Sequence, residues 1–229
     1  MPRLLDFLLA IVAIVVLLPF MVPIVILLKF TGDREVFYYQ KRKGKNGRDF
    51  FLLKFATMNK DSISNGMGSI TVRNDPRIKF MGRTLRKWKL NELPQIVNIL
   101  VGDLSVVGPR PLIEGTTGHS AYPDDIKEKI YSNLPGLTGI GSIVFRDEEA
   151  ILSKVDNPHD FFVREIAPHK ANLELWYFEN KSLKVDAGII ICTAISIICS
   201  KSRVHERLFP ELPKMPEDLI ARRDTDFSV

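Results

Sequence analysis

Basic side chains surround a single acidic residue in the middle of the sequence. The two stretches concerned are Arg-Thr-Leu-Arg-Lys-Trp-Lys-Leu-Asn-Glu-Leu-Pro-Gln at 83–95 and Gly-Pro-Arg-Pro at 108–111. Arg86, Lys87 and Arg110 are suited to charge-assisted hydrogen bonds with phosphate. Glu92 could hold a divalent metal ion, accept a proton or act as a nucleophile. These residue types suit phosphoryl transfer, although a capped helix with a solvated basic face has the same composition.

A short helix is predicted to position Glu92. Apolar residues recur at helical spacing at Leu93, Ile96, Val97 and Leu100, which predicts a helix over 91–100. We expect Asn91 to cap its N-terminus and Glu92 to lie in its first turn, where the helix dipole favours anions. Prolines at 109 and 111 restrict the backbone on both sides of Arg110, so an extended, stiff segment is expected there.

The remaining pattern indicates mixed helices and strands. Strands are predicted at 35–40 and 50–55 around a turn at 43–47 that contains Asn-Gly. Helices are predicted at 79–88, 124–133, 148–154 and 161–180, and a loop at 61–67. The apolar stretch 187–199 is too short to span a bilayer, so we expect it to lie in the interface or on the anchor. Residues 201–229 are expected to be a loosely ordered tail.

The N-terminal segment is apolar enough for a membrane. Residues 7–28 are uncharged, and a span requires ~20 residues. A signal peptide would have a shorter apolar region and a small-residue cleavage site, which Lys-Phe-Thr at 29–31 does not provide. Pro19 and Pro23 predict a bend, and basic residues on both flanks favour the cytoplasmic side. A helix that bends at Pro19 and re-enters is therefore favoured over a kinked span.

Composition limits the partners. The 229 residues carry a net charge of +5, so an anionic partner is expected: a phosphorylated substrate, an anionic lipid surface or nucleic acid. The basic residues lie near the anchor and the proposed phosphate site, and lipid attraction at ~1 kcal/mol per residue explains the former, so no nucleic acid is expected. Two cysteines and four histidines without ligand spacing build no disulfide framework or metal cluster.

An ordered series of motifs resembles the bacterial sugar transferase family, the monotopic phosphoglycosyl transferases. The motifs are Lys-Phe-Ala-Thr-Met at 54–58, Asn-Asp-Pro-Arg-Ile at 74–78, Asn-Glu-Leu-Pro-Gln at 91–95, Gly-Asp-Leu-Ser-Val-Val-Gly-Pro-Arg-Pro at 102–111 and Pro-Gly-Leu-Thr-Gly at 135–139. Together with the proline-broken anchor and the basic strand pair, the resemblance covers roughly residues 3–200.

The resemblance implies a mixed α+β fold in three parts. These are a re-entrant membrane helix at 1–30, a small α/β-like catalytic domain with interfacial amphipathic helices at 31–200, and the tail. The implied place is the cytoplasmic face of the bacterial inner membrane. The implied reaction uses Mg²⁺ and moves a sugar-1-phosphate from a UDP-sugar to polyprenyl (undecaprenyl) phosphate, with release of UMP. It is the first membrane step of polysaccharide assembly. Arg77, in the second motif, is expected to bind phosphate beside Arg86, Lys87 and Arg110. Whether the protein forms a homodimer is left open.

One departure from the family pattern bears on catalysis. Members use the Asp of an Asp-Glu pair to hold the phosphosugar covalently, whereas this chain has Asn91-Glu92. Glu92 could take over as the catalytic carboxylate and metal ligand, with Asn91 orienting the site. Another carboxylate could serve instead, such as Asp75, Asp103 or Glu174. Alternatively, the chain has lost catalysis and only binds a nucleotide sugar or a partner enzyme. Two further departures occur: Ala56, where most members have Arg or Lys, and Ile-Gly-Ser at 140–142, where many have Trp-Ala-Gln. Such coordinated departures indicate a subfamily and favour an active enzyme.

Overall fold

The computed structural model describes residues 1–31, 34–59, 71, 75–199 and 202–224. The predicted loop at 61–67 and Asn74 of the second motif lie outside these residues. Within them the strands are β1 Phe37–Lys43, β2 Asp49–Phe55, β3 Ser105–Val107 and β4 Gly136–Thr138. The helices are α1 Arg3–Phe30, α2 Phe80–Lys87, α3 Gln95–Val101, α4 Thr117–Ser120, α5 Asp124–Ser132, α6 Ile140–Val144, α7 Glu148–Leu152, α8 Pro158–Phe161, α9 Ala167–Asn180, α10 Leu183–Ile198, α11 Val204–Leu208 and α12 Glu217–Asp224.

The N-terminal segment is one continuous helix. Among the described residues, α1 is the helix that is long and apolar enough to cross a membrane by length and composition. Pro19 and Pro23 lie inside it without ending it, although each removes an intrahelical hydrogen bond. Many of its large apolar side chains are exposed, among them Val15, which is 69% exposed, and Phe20, which is 63% exposed. Such an apolar surface is typical of a segment surrounded by lipid.

Polar contacts fasten the N-terminal end of α1 to the rest of the fold. Asp6 is fully buried, and its carboxylate accepts hydrogen bonds from Ser105 Oγ and Val106 N–H, each at 2.9 Å. Arg3 donates to the carbonyl oxygen of Leu100 at 2.9 Å, beside the end of α3. The helix that carries the apolar surface is thereby tied to β3, the strand that leads into Gly-Pro-Arg-Pro.

Apolar packing continues along α1. Ala10 packs in a cluster with β2 and α3 whose other buried members are Phe50, Leu52, Ile96, Ile99 and Leu104. Near its C-terminal end, Leu28 packs with Phe55 and Leu85. Both ends of α1 therefore contact the same folded domain.

The predicted hairpin is confirmed, slightly displaced along the chain. β1 and β2 pair antiparallel from Phe37 opposite Phe55 to Lys43 opposite Asp49. The turn contains a short 3₁₀ helix, Lys45–Gly47, in which Asn46 has a φ of 57°, a conformation that asparagine tolerates. The buried side chain of Asn98 joins the hairpin to α3, since it accepts from Leu53 N–H at 2.9 Å and donates to the Phe51 carbonyl at 2.8 Å.

A second sheet, which the sequence did not predict, supports the Pro-Arg-Pro segment. β3 and β4 pair parallel, with Ser105 opposite Gly136 and Val107 opposite Thr138. At the end of β3 the backbone of Gly108 touches that of Gly136, because a Cβ on Gly136 would lie 2.2 Å from Gly108 N. A side chain at this contact would force the strands apart, so both positions require glycine.

The C-terminal third encloses the largest core cluster. Its fully buried members include Ile140, Ile166, Leu173 and Ile189, which come from α6, the π-helical turn Phe162–Ile166, α9 and α10. α10 packs mainly on the second sheet, α6 and α11, and it also contacts the N-terminal residue, which precedes α1, because Asp186 pairs with the amine of Met1 at 3.3 Å. Its other side exposes Leu183, Ile191 and Ile198.

The expectation of a loosely ordered tail is wrong for residues 202–224. α11 and α12 lie in this region, and the side chains of Phe209 and Leu219 are buried in the largest cluster. Proline and charge content suggested disorder, but Val204, Leu212 and Met215 also pack against this cluster, and the segment contacts α10 and α7.

The contacts of Asp6 generate a stability prediction. Asp6→Ala should lower the free energy of unfolding by about 1–3 kcal/mol, because the buried Val106 N–H and Ser105 hydroxyl would lose their acceptor. Thermal or urea unfolding of the full chain in detergent measures this. Asp125→Ala, at an exposed position on α5, is the matched control. Equal unfolding midpoints for the two variants would contradict the prediction.

Candidate active site

The residues around Glu92 fold differently from the predicted helix. Leu90–Glu92 form a 3₁₀ helix, and α3 begins only at Gln95, with Pro94 at its N-cap position. Lys89 precedes them with a φ of 56°, in the left-handed region. The expectation that Asn91 caps α3 is therefore wrong, and Glu92 lies before the helix and not in its first turn. The physical reason is Pro94, whose fixed φ suits a helix start.

Glu92 is a carboxylate surrounded by cations. Its Oε1 lies 3.3 Å from Arg110 Nη2 in a hydrogen-bonded ion pair, and its side chain is 18% exposed. Burial by itself would raise the pKa of Glu92, but Arg110, Lys54 and Lys89 outweigh it and lower the pKa to about 2. Glu92 is therefore ionised at any physiological pH.

The hairpin supplies the opposite wall of this cluster. Lys54 on β2 and Arg42 on β1 both donate to Gln40 Oε1, at 3.2 Å from Lys54 Nζ and 2.7 Å from Arg42 Nη2. Desolvation lowers the pKa of Lys54 well below its usual value, although Glu92 opposes the shift. Arg42 is buried and also donates to the Pro111 carbonyl at 2.7 Å. One polar network thus joins both strands to the Pro-Arg-Pro segment.

Arg110 projects from this segment into solvent. Its side chain is 43% exposed, while Pro109 and Pro111 on either side are buried. The Glu92 carboxylate raises the pKa of Arg110, so the guanidinium stays charged. A cation on a stiff backbone, beside a carboxylate and open to solvent, can hold a phosphate with little loss of conformational entropy.

The other predicted phosphate ligands already have partners or lie apart. Arg86 forms an ion pair with Glu149, and its positive charge also contributes to lowering the pKa values of Lys54 and Lys89. Arg77 is held by Asp75, with Nη2 and Oδ2 2.6 Å apart. Lys87 is exposed at the end of α2. Among the predicted cations, Arg110 is the one that contacts Glu92 directly.

The alternative carboxylates do not replace Glu92. Asp75 is buried against Arg77, and Asp103 accepts from Asn98 Nδ2 at 3.3 Å. Glu174 is 4% exposed and lies behind the Arg110 backbone. Asn91 is also buried, at 6% exposed, and among the described residues no donor reaches its Oδ1. Of the carboxylates considered from the sequence, Glu92 is therefore the one that pairs with the exposed Arg110.

The donor set limits how magnesium could bind here. Within residues 1–31, 34–59, 71, 75–199 and 202–224, no group of three or more His, Cys, Asp or Glu side chains could hold a metal ion. Glu92 offers one carboxylate among several cations. Such a set fits a Mg²⁺ ion that shares one protein carboxylate with diphosphate oxygens, and does not fit a cage of protein ligands alone.

Several site residues were missed from the sequence. Lys54, Lys89, Arg42 and Gln40 line the cluster, yet only motif membership drew attention to Lys54. One signal was present: Leu52 and Lys54 share a face of β2, and a lysine on the inward face of a strand is unusual. Lys89 gave no such signal, because its left-handed conformation is not encoded by its residue type.

The fold and the cluster define a class: an enzyme domain with an apolar helix and a cationic, carboxylate-bearing site suited to phosphate. Residues 1–200 match the family model described as bacterial sugar transferase. The chain belongs to this family.

The chain is similar to several curated proteins. The exopolysaccharide production protein ExoY of Rhizobium meliloti is 32% identical over 210 residues, which cover 86% of this chain and 84% of ExoY. The UDP-glucose:undecaprenyl-phosphate glucose-1-phosphate transferase of Xanthomonas campestris is 31% identical, covering 86% of this chain and 38% of that protein. The UDP-N-acetylgalactosamine-undecaprenyl-phosphate N-acetylgalactosaminephosphotransferase of Aeromonas hydrophila is 31% identical, covering 84% and 42%.

The exposure of Arg110 generates a binding prediction. Arg110→Ala should weaken UDP binding about tenfold to a hundredfold, since a hydrogen bond to a charged group contributes about 1.5–3 kcal/mol. Calorimetry with the full chain in detergent measures this affinity. Arg48→Ala, at an exposed position in the hairpin turn, is the control for loss of a positive charge. Unchanged UDP affinity in Arg110→Ala would mean that Arg110 serves only the fold.

Proposed function

We propose that this protein transfers a sugar-1-phosphate from a UDP-sugar to polyprenyl phosphate, producing polyprenyl diphosphate sugar and UMP. The observation that carries the proposal is the Glu92–Arg110 ion pair with Lys54 and Lys89 around it. A carboxylate that stays ionised next to exposed positive charge can receive a diphosphate and attack it. The names of the Xanthomonas and Aeromonas relatives, which specify such transfers, support the same reaction class.

Glu92 is the catalytic carboxylate in this proposal. Its Oε1 faces Arg110, which leaves Oε2 to attack the β-phosphorus of the UDP-sugar. The bond from that phosphorus to the bridging oxygen breaks, and UMP leaves with the electron pair. A phosphate oxygen of the lipid then attacks the same phosphorus, and the Glu92 carboxylate leaves unchanged. A low pKa makes Glu92 a modest nucleophile but a good leaving group in the second step.

Positively charged side chains stabilise the negative charge in both steps. Arg110 binds diphosphate oxygens, and Lys54 and Lys89 compensate the negative charge that gathers near Glu92. Mg²⁺, when bound with the substrate, would neutralise further charge on the diphosphate, with Glu92 as its protein ligand. Asn91, next to Glu92 in the chain, is buried, and we assign it the role of orienting the site.

The membrane arrangement belongs to the same proposal. A helix of 28 residues is about 42 Å long, enough to cross a bilayer of ~30 Å. However, Arg3 and Asp6 at one end and Leu28 at the other contact one domain. A straight span would separate these ends by the bilayer. We propose that α1 enters and leaves on the cytoplasmic face of the inner membrane, with Pro19 at its deepest part, which brings Glu92 to the lipid phosphate.

The catalytic assignment predicts opposite outcomes for neighbouring residues. Glu92→Gln should reduce turnover to background while the chain stays folded, because a carboxamide is not a nucleophile. Asn91→Ala should retain part of the activity, since Asn91 caps no helix and its Oδ1 has no donor among the described residues. A radiolabel assay in membranes, with a panel of UDP-sugars, undecaprenyl phosphate and magnesium, measures transfer to lipid.

Two results would contradict the assignment. An active Glu92→Gln together with an inactive Asn91→Ala would move the catalytic role to Asn91. A wild-type chain inactive with every UDP-sugar, combined with activity in Asn91→Asp, would mean that the natural chain binds nucleotide sugar without transferring it.

The topology predicts the labelling of single cysteines. After replacement of the native cysteines, Cys192 and Cys199, cysteine at position 2 and cysteine at position 31 should both resist a membrane-impermeant maleimide in intact cells. Both should react after lysis, because both ends of α1 would lie in the cytoplasm. Labelling of position 2 from the periplasm would instead establish a span.

A further inference from the structure

Glu174 is a buried carboxylate that the proposed reaction does not use. It lies on α9, is 4% exposed, and among the described residues no donor reaches its Oε2. A buried carboxylate oxygen without a donor is costly, so its presence calls for a physical explanation. Because it lies behind the loop and not in the open cluster, it cannot touch a substrate that Arg110 and Glu92 hold.

The surroundings of Glu174 place it against the Pro-Arg-Pro segment, residues 109–111. The backbone N–H of Arg110 stabilises the ionised form of this carboxylate and so lowers its pKa, against the larger effect of burial. Gly141 on α6 leaves it room, because a Cβ on Gly141 would lie 2.9 Å from Glu174 Oε1. Lys170, one turn earlier on α9, forms its ion pair with Glu148. Gly141 thus leaves the carboxylate room beside the Arg110 backbone, and the charge of Lys170 stabilises its ionised form as well.

This inference rests on the proposed function. We infer that Glu174 is a positioning residue of the transferase: through the Arg110 backbone it aims the Arg110 guanidinium at Glu92 and the substrate diphosphate. Gly108 fixes the start of the loop against β4, and Glu174 fixes the residue that carries the cation. Without the Glu174 carboxylate, the Pro-Arg-Pro segment stays attached to β4 through Gly108, but the Arg110 guanidinium is held less precisely towards Glu92.

A pH dependence follows from the same geometry. The titratable groups around Glu174 are Lys170 and Tyr177 on α9, Tyr122 before α5, and Arg110; α6 contributes none. Burial raises the pKa of Glu174 to about 7, with Lys170 opposing the shift. The carboxylate is ionised at pH 8 and mostly protonated at pH 6. A charged acceptor holds an N–H more strongly than a neutral one, so positioning weakens as the pH falls.

Two substitutions of Glu174 distinguish the loss of its hydrogen-bond acceptors from the loss of its negative charge. Glu174→Leu removes both oxygens, and we expect KM for the UDP-sugar to rise about tenfold, close to Arg110→Ala, while the unfolding midpoint is kept or raised. Glu174→Gln keeps one acceptor and imitates the protonated form. Its kcat/KM should be several-fold below wild type at pH 8 and equal to wild type at pH 6. Glu179→Leu and Glu179→Gln, at an exposed position on α9, are the matched controls.

The decisive quantity is the kcat/KM of the variant divided by that of wild type at the same pH. Titration of the substrates affects both values equally and cancels in this ratio. A constant Glu174→Gln ratio from pH 6 to pH 8, or an unchanged KM in Glu174→Leu, overturns the inference. If Glu174→Leu does not fold, Gly141→Ala decides, since the added methyl displaces the carboxylate without removing it. A raised KM in Gly141→Ala supports the inference, and an unchanged KM overturns it.

Calorimetry with UDP on the same full-length variants separates this inference from the proposed function. If the wild-type chain shows no turnover, the proposed transferase function is refuted. Its affinity for UDP can still be measured and still reports on the position of Arg110. Weaker UDP binding by Glu174→Leu, matching Arg110→Ala, then supports positioning. Equal binding by Glu174→Leu and wild type, or no UDP binding by wild type, overturns it.

Discussion

The backbone contact between Gly108 and Gly136 is the constraint on which the site depends. No side chain fits between these residues, so β3 and β4 approach closely enough to pair in parallel. The pairing fixes the point at which the chain leaves β3, and two prolines carry that fixed direction to Arg110. Glu92 lies opposite Arg110 because Asn98 joins α3, the helix that follows Glu92, to the hairpin. Together these separate restraints hold Arg110 Nη2 3.3 Å from Glu92 Oε1.

The cluster also illustrates how a fold can keep many cations close together. Arg42, Lys54, Lys89 and Arg110 would repel one another if only Coulomb forces acted. Gln40 Oε1 accepts hydrogen bonds from two of them, Arg42 and Lys54, and the Pro111 carbonyl accepts a further hydrogen bond from Arg42. Glu92, with Glu148 near Arg110 and Glu149 near Lys89, balances only part of this charge. The remaining positive potential favours an anionic substrate, so the repulsion within the free protein contributes to recognition of a diphosphate.

The sequence predicted the local parts well and their assembly poorly. The hairpin, α2 and α5 were recognised because turn residues and apolar periodicity act over a few positions. The parallel pair β3–β4 was not, because three-residue strands contain too little pattern, and their pairing depends on glycines far apart in the sequence. In the site, Glu92 and Arg110 were brought together as the motif suggested. Lys89 and Gln40 were beyond prediction, since backbone conformation and a shared strand face place them.

The buried Asp6 has a consequence for biosynthesis. Its partners Ser105 and Val106 lie 99 and 100 residues further along the chain. The apolar helix leaves the ribosome before β3, so its carboxylate cannot gain these protein partners until β3 has been made and folded. Membrane entry and folding of the domain are therefore coupled events. A nascent chain interrupted before residue 105 would hold an unpartnered carboxylate at the end of its apolar helix, which would favour its removal by quality control over stable insertion.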